Sequence, residues 1–547
     1  MAQQNDSAIV TVLRHPVATL VAAGLVAALF ALSSLLPPNP EVADRIACRE
    51  TPEAECLARI GLRLFDNQPT RAPSPSTAER LAGLGLYDEA VVVDTRFYAL
   101  SSVKYPPDAA RNAALRNVSH FKIIEAIMSG KSVKQAYEAH PEADAGALWL
   151  VGLKLLGEEV DQSGTRAPVI DAEMQIDTIR DLIGQIRQVT TAPYQLAYAA
   201  ELSARIGDAD LATDILRDMR PQDRTYLNFS PELMSVVGPE FALRVWLAVS
   251  GKTFTPASAY RVAAEAAASL PEAENYLRAA FAAAQDKSPW PDFGDMQRIV
   301  GVAADRGLDD LARELAREMG EAAKTTDSPF IVFHQIDVAG ALRVVGAPND
   351  EVRMWLNKAE ASFPGHRNEV IAFGVVSGPI AWPGSGLERE ARVSLALIWL
   401  RLGDVEHARM LLADIDQPVI SFNDILSTDL PLDQLSTVQG WARASVSSDE
   451  FAYLQIQMAT WMLRTSKDVS KINRARDILS AALAAPLPTG EHAEARVFST
   501  LNGSELLGNQ TAVVAALSRV SDFALNSRNP DVLIRAAAAH ARVKSED

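Results

Sequence analysis

The sequence predicts an all-α protein: an α-solenoid of antiparallel helical hairpins, preceded by one apolar transmembrane or signal helix. Three observations carry this. Amphipathic stretches of ten to eighteen residues follow one another from residue 77 to the end, with no run of alternating β-branched residues between them. The chain is rich in alanine and holds only 6% aromatics, which suits helices packed through small side chains. One stretch near the start, Val17–Leu36, has twenty residues and no charge. The organisation read from these is a tail over 1–16, an anchor helix over 17–36, a linker with a disulfide strap over 37–76, and a helical-repeat solenoid over 77–547.

Composition bounds the function. With 52 Lys+Arg against 69 Asp+Glu, the formal charge is −17, and no run of five basic residues occurs. Such a chain is repelled by phosphate backbones, so nucleic acid is not an expected partner. The length leaves room for several domains or for one long repeat array.

The first element is "VATLVAAGLVAALFALSSLL". Twenty uncharged, mostly apolar residues in a helix span about 30 Å, the thickness of a hydrocarbon core. Two readings stand: an uncleaved signal anchor, or a long signal peptide cut near Ala31-Leu32-Ser33. "PPNP" at Pro37–Pro40 detaches the stretch from the next segment of chain. Its flanking charges are ambiguous, with Arg14 on one side and Arg45 and Arg49 on the other.

The only two cysteines, Cys48 and Cys56, lie just beyond. Arg45 stands where a lipobox needs an apolar residue, which argues against lipidation. Two thiols without a second pair or a nearby histidine do not complete a zinc site. Two readings remain, free structural thiols and a disulfide. Were 48–56 one helix, the cysteines would stand about 12 Å apart along its axis, too far for a bond that needs Cα atoms within roughly 7 Å. The expectation is therefore a turn, with Thr51 as N-cap, Pro52 in the first helical position and Glu53 at the positive end of the dipole. A bond here points to an oxidising compartment, and it tips the ambiguous charge count toward export.

After the polar loop "NQPTRAPSPS" (Asn67–Ser76), helix starts recur. Ser76-Thr77-Ala78-Glu79 and Ser132-Val133-Lys134-Gln135 read as capping boxes. Ser230-Pro231-Glu232, Thr255-Pro256 and Asn529-Pro530-Asp531 place a cap before a proline. The hairpins share a turn: Gly85, Gly207, Gly307 and Gly403 each precede an alanine by five, at Ala90, Ala212, Ala312 and Ala408. The glycine ends one helix in a left-handed conformation; the alanine lets the next helix approach closely. Two segments break the rhythm, Ser328–Gly340 and Val370–Gly386. They read as core helices with a Gly/Pro loop, or as a groove wall or oligomer surface.

Leu395, Ala396, Trp399, Gly403, Asp404 and Ala408 match in order the pattern of the tetratricopeptide repeat, and this unit resembles that family. Ile415 stands where the family has alanine, and Pro418 comes early. Gly207, Asp208 and Ala212 match at the turn, with Ala200 at the small position. The other two units match at the turn only. The turns lie 122, 100 and 96 residues apart, so the period is not a clean 34 residues, although about three units fit between neighbours. The resemblance implies a degenerate helical-repeat solenoid that binds proteins.

No motif for chemistry survives inspection. "SGKS" (Ser129–Ser132) and "SGKT" (Ser250–Thr253) lack the earlier glycine of a phosphate loop, holding Glu125 and Trp246 there. "WPGSG" (Trp382–Gly386) has Pro383 where a nucleophile elbow needs glycine. The eight histidines form no metal-binding pair. Asp309-Asp310 and Glu158-Glu159 read as solvated helix faces. No catalytic residue, cofactor or metal site is assigned. A compact lysozyme-like domain of the kind that soluble lytic transglycosylases add to a helical superhelix is not found.

The expected function is a scaffold or adaptor in a bacterial envelope complex. The chain would be held in the inner membrane through 17–36, or be secreted after cleavage, with its bulk in the periplasm and protein partners on the concave face. The alternatives are a cell-wall or glycan-acting enzyme with carboxylates from distant helices about 5–10 Å apart, and a receptor with its solenoid in the cytosol.

Overall fold

A computed structural model describes residues 40–50, 52–101, 105–157, 172–190, 195–219, 231–247, 256–287, 290–328, 330–363, 370–372, 379–381, 386–413, 415 and 417–545. The apolar stretch 17–36 lies outside these residues, as does "SGKT". Among the described residues no helix is long and apolar enough to cross a membrane.

The described chain is helical apart from one three-residue ladder. Two helices come first, α1 (Pro40–Glu50) and α2 (Ala54–Asp66). Hairpins follow. Pro75–Gly83 (α3) pairs with Tyr87–Leu100 (α4), and Pro107–Met128 (α5) with Val133–Ala139 (α6). Next come Ala145–Leu155 (α7) with Ala172–Val189 (α8), and Leu196–Arg205 (α9) with Ala209–Asp218 (α10). Pro231–Val237 (α11) pairs with Pro239–Leu247 (α12), and Pro256–Ala266 (α13) with Leu270–Gln285 (α14). Phe293–Asp305 (α15) pairs with Asp309–Thr325 (α16), and Ile331–Val344 (α17) with Asn349–Ser362 (α18). Gly386–Arg401 (α19) pairs with Val405–Leu412 (α20), and Pro418–Leu426 (α21) with Leu432–Ser445 (α22). Ser448–Thr465 (α23) with Val469–Ala484 (α24), Ala493–Leu506 (α25) with Gln510–Asn526 (α26), and the final α27 (Pro530–Ser545) complete the chain. From α3 to α25 the first helix of each hairpin packs on the first helix of the next. This is a helical-repeat fold.

The glycine turns form as the spacing requires. Gly85, Gly207, Gly307 and Gly403 have φ of 76°, 73°, 75° and 83°. At Gly207 the N–H donates to the Ala204 carbonyl at 2.9 Å, and the Asp208 N–H donates to that of Ser203 at 2.9 Å. These two bonds satisfy carbonyls that the helix end would leave bare. Asp208 and Asp404 then cap the next helix, their side chains accepting from the N–H of Leu211 and His407. Ala90, Ala212, Ala312 and Ala408 are buried. Leu395, Ala396 and Trp399 are buried too, and the Trp399 indole N–H donates to Glu360 of the preceding hairpin at 2.7 Å.

Four expectations change. The expected linker with its strap over 37–76 holds two amphipathic, packed helices, α1 and α2, and its described loop residues are 52–53 and 67–74. Cys48 lies inside α1, and α2 starts at Ala54 with Glu53, not Thr51, in the cap position. Ser76 does not cap α3, which begins at Pro75; Ser74 holds the cap position and its side chain makes no capping bond. Val370–Ala372 pairs antiparallel with Pro379–Ala381 instead of forming a helix, whereas Ile331–Val344 is the core helix expected.

The last helix meets the first ones. α27 packs on α2 and α3, and α1 packs on α26. Leu57, Ala58, Ile60 and Leu64 share one core cluster with Leu501, Val520, Ala524, Leu533 and Ala537. The array thus closes on itself, and α2 covers α27 as the second helix of a hairpin covers its first. α27 buries Val532, Leu533, Ile534, Ala536 and Ala537, consecutive enough to need cover on two sides. α25 and α26 supply one side, α2 and α3 the other. Each fully buried Leu, Ile or Phe contributes about 1.5–3 kcal/mol before ordering entropy is subtracted.

Candidate functional site

A cleft of about 310 Å³ opens between α23, α24, α25 and α26. Its floor is apolar: Ile456, Ile478 and Val497 are buried, with Ala482 and Pro488 beside them. Three arginines from three helices line its wall, Arg474, Arg496 and Arg519, against one carboxylate, Asp477.

Each arginine is placed for a local reason. The run Ala485-Pro486-Leu487-Pro488 stops α24 and leaves its last carbonyls bare. Arg519 donates to the carbonyls of Leu483, Ala485 and Pro486 at 3.2, 2.6 and 3.1 Å. Burial lowers the Arg519 guanidinium below its ordinary range, and the like charge of Arg496 adds to this, opposed by Asp522. Arg496 is nearly enclosed and donates from Nη1 to Asp449 at 3.0 Å, while its Nε is buried with no hydrogen-bond partner. Arg474 is exposed. In a chain of charge −17, this converges positive charge over an apolar floor.

A second cluster joins α15 and α17. Asp292 caps α15, accepting from the Asp295 N–H at 3.0 Å, and pairs with Lys287. Burial works upward on its carboxyl, but those partners outweigh it and hold Asp292 below the usual range. Asp337 of α17 is pushed the other way, up to about 7, by burial first and then by the like charges of Asp292 and Glu390, eased by Arg298. Beside them His334 stacks on Phe293 at 4.3 Å and shares a 2.9 Å hydrogen bond with Ser328; burial lowers it to about 4. Asp292 is thus committed to the helix start and to Lys287, while Asp337 is the carboxyl held protonated to higher pH.

The sequence-predicted pair Cys48 and Cys56 is bonded, with Cα atoms 5.8 Å apart. The bond lies in the closure core rather than in an entry linker. "SGKS" is a helix stop, turn and start: Gly130 has φ of 90°, and Ser132 with Gln135 forms the expected capping box. Among the described residues no group of three His, Cys, Asp or Glu is placed to hold a metal ion. Sequence reading missed the three arginines, which lie more than twenty residues apart and meet only through packing.

No family model matches the chain, and no curated protein matches it. Among solved structures, one described as a "Circular tandem repeat protein with novel repeat topology and enhanced subunit contact surfaces" covers 92% of this chain and 93% of its own, at 14% identity and a TM-score of 0.14. At that score the likeness carries no argument; the repeat and its closure rest on the helix contacts themselves.

Proposed function

We propose that the chain is a scaffold or adaptor that binds protein partners within an envelope complex, built from degenerate tetratricopeptide-like hairpins. The observation that carries this is the succession of hairpins from α3 to α26, in which, among the described residues, each unit packs chiefly on its neighbours and presents an extended surface. The tetratricopeptide reading gains support from the unit at 395–408, whose leucine, small residue, aromatic, glycine and alanine occupy the positions that the family's packing needs.

The placement proposed is the periplasmic side of a bacterial inner membrane, anchored through 17–36. The Cys48–Cys56 bond supports it, because such bonds persist where thiols are not kept reduced. Arg45 and Arg49, which leaned the charge count the other way, are used within the fold: they donate to the Ser527 carbonyl at 3.1 Å and to Asn526 at 2.6 Å. An anchor preceding Pro40 would enter the body at the closure.

A second reading, an enzyme acting on cell wall or glycan, would draw on Asp292 and Asp337, which the packing of α15 on α17 brings near enough for their charges to interact. Crosslinking in intact cells, followed by purification and mass spectrometry without reductant, tests the first. A stoichiometric envelope partner with oxidised cysteines is expected. Reduced cysteines overturn the placement, and the absence of any partner at every crosslinker length overturns the adaptor reading. Loss of a glycan-cleaving activity in Asp337→Asn would establish the second.

A further inference from the structure

We propose that the cleft between α23, α24, α25 and α26 is a binding site for a small carboxylate with a short aliphatic tail. The inference goes beyond the adaptor reading and does not depend on it. The tail has a floor in Ile456, Ile478, Ala482, Val497 and Pro488, from which water is displaced favourably. The head has three guanidiniums, which recognise carboxylates through paired, charge-assisted hydrogen bonds. The fold uses Arg519 on three backbone carbonyls and Arg496 on Asp449, which leaves Arg474, exposed on the wall, as the guanidinium least committed elsewhere. Burial lowers the Arg519 guanidinium and the like charge of Arg496 adds to this, so an anion beside Arg519 would favour its charged form. Asp449 already neutralises part of Arg496 and Asp477 stands on the wall, so the site suits a monoanion rather than a polyanion. The scale also selects the occupant. About 310 Å³ confined to two neighbouring hairpins is the lower range of small-ligand clefts, whereas a bound peptide or helix would need a groove running over several units.

The test uses the full chain in lipid nanodiscs, with hexanoate as probe and hexanamide and hexylamine as isosteres of altered charge. Empty nanodiscs correct for partitioning. Ligand-observed NMR and calorimetry should detect hexanoate at millimolar concentration, with hexanamide at least tenfold weaker (about 1.4 kcal/mol) and hexylamine undetected. Arg474→Gln is exposed and should fold normally; with Arg496→Gln it should weaken hexanoate at least tenfold. Ala482→Phe should abolish binding by filling the floor, with the helical circular dichroism unchanged. Equal binding of hexanoate and hexanamide would overturn the role of the arginines. Binding that survives Ala482→Phe would overturn the location, and absence of hexanoate binding in the folded chain would overturn the proposal.

Discussion

Asp531 Oδ1 accepts from the Thr77 hydroxyl at 2.5 Å, across 454 residues of chain. The same oxygen accepts from the Ser74 N–H at 3.0 Å. A residue in the first turn of the last helix therefore serves the start of α3, where Ser74's own side chain makes no capping bond. Arg71 joins the group through Asn529 at 2.7 Å. Thr77 is fully buried, so loss of its acceptor leaves an unsatisfied hydroxyl. Asp531→Ala is expected to lower stability by about 1–3 kcal/mol, concentrated at the closure. Hydrogen exchange should rise first in α3 and α27; uniform protection would refute the local role.

Gly61 sets how closely α2 approaches α27. A Cβ there would lie 2.8 Å from Ile534 Cγ1 and 3.2 Å from the Pro530 carbonyl oxygen. Gly61→Ala gains about 1 kcal/mol of helix propensity but strains the contact by roughly 1–3 kcal/mol. Net destabilisation is expected in thermal melts, and Gly61→Val should be worse.

The disulfide holds α1 on α2 while α1 is docked on the end of α26. Replacing both cysteines by serine is expected to cost about 2–3 kcal/mol in the loop-entropy model. It should expose the closure to limited proteolysis near residues 50–53. Alkylation of the unreduced, denatured chain should label no cysteine.

His540 donates to or accepts from Ser521 at 2.5 Å and is lowered to about 4 by burial. The unfolded chain binds this proton near pH 6.5, the folded chain only near 4. Its stabilising share is thus present above about 6.5 and is lost as pH falls toward 4. Exchange of α26 and α27 should accelerate over that window, and His540→Gln should flatten the change.

Asp337 has the opposite sign. Its folded value of about 7 lies above the unfolded carboxylate value, so its favourable share is present below about pH 4 and fades as pH rises to 7. Asp337→Asn should therefore stabilise the protein by roughly 1–3 kcal/mol at about pH 8 and have little effect at about pH 4. An equal effect at both pH values would refute the assignment.

The local rules were legible in the sequence because each acts within a few residues. A glycine five before an alanine needs only its own φ and its neighbour's packing, so the turns at Gly85, Gly207, Gly307 and Gly403 followed from spacing. The turn between Cys48 and Cys56 followed from the reach of a disulfide, and Ser132–Gln135 from a single helical turn. The tertiary structure alone decided what depends on distant partners. The Ser76 box failed because Asp531, hundreds of residues away, took over that helix start. Residues 37–76 read as a linker with a strap, and the helix expected after Thr51 had no visible partner until α27 supplied one. The arginine cleft was invisible because Arg474, Arg496 and Arg519 share no local pattern, only three helices packed side by side. Sequence periodicity fixes which face of a helix must be buried; it does not say against which helix, and closure of the array is that second choice.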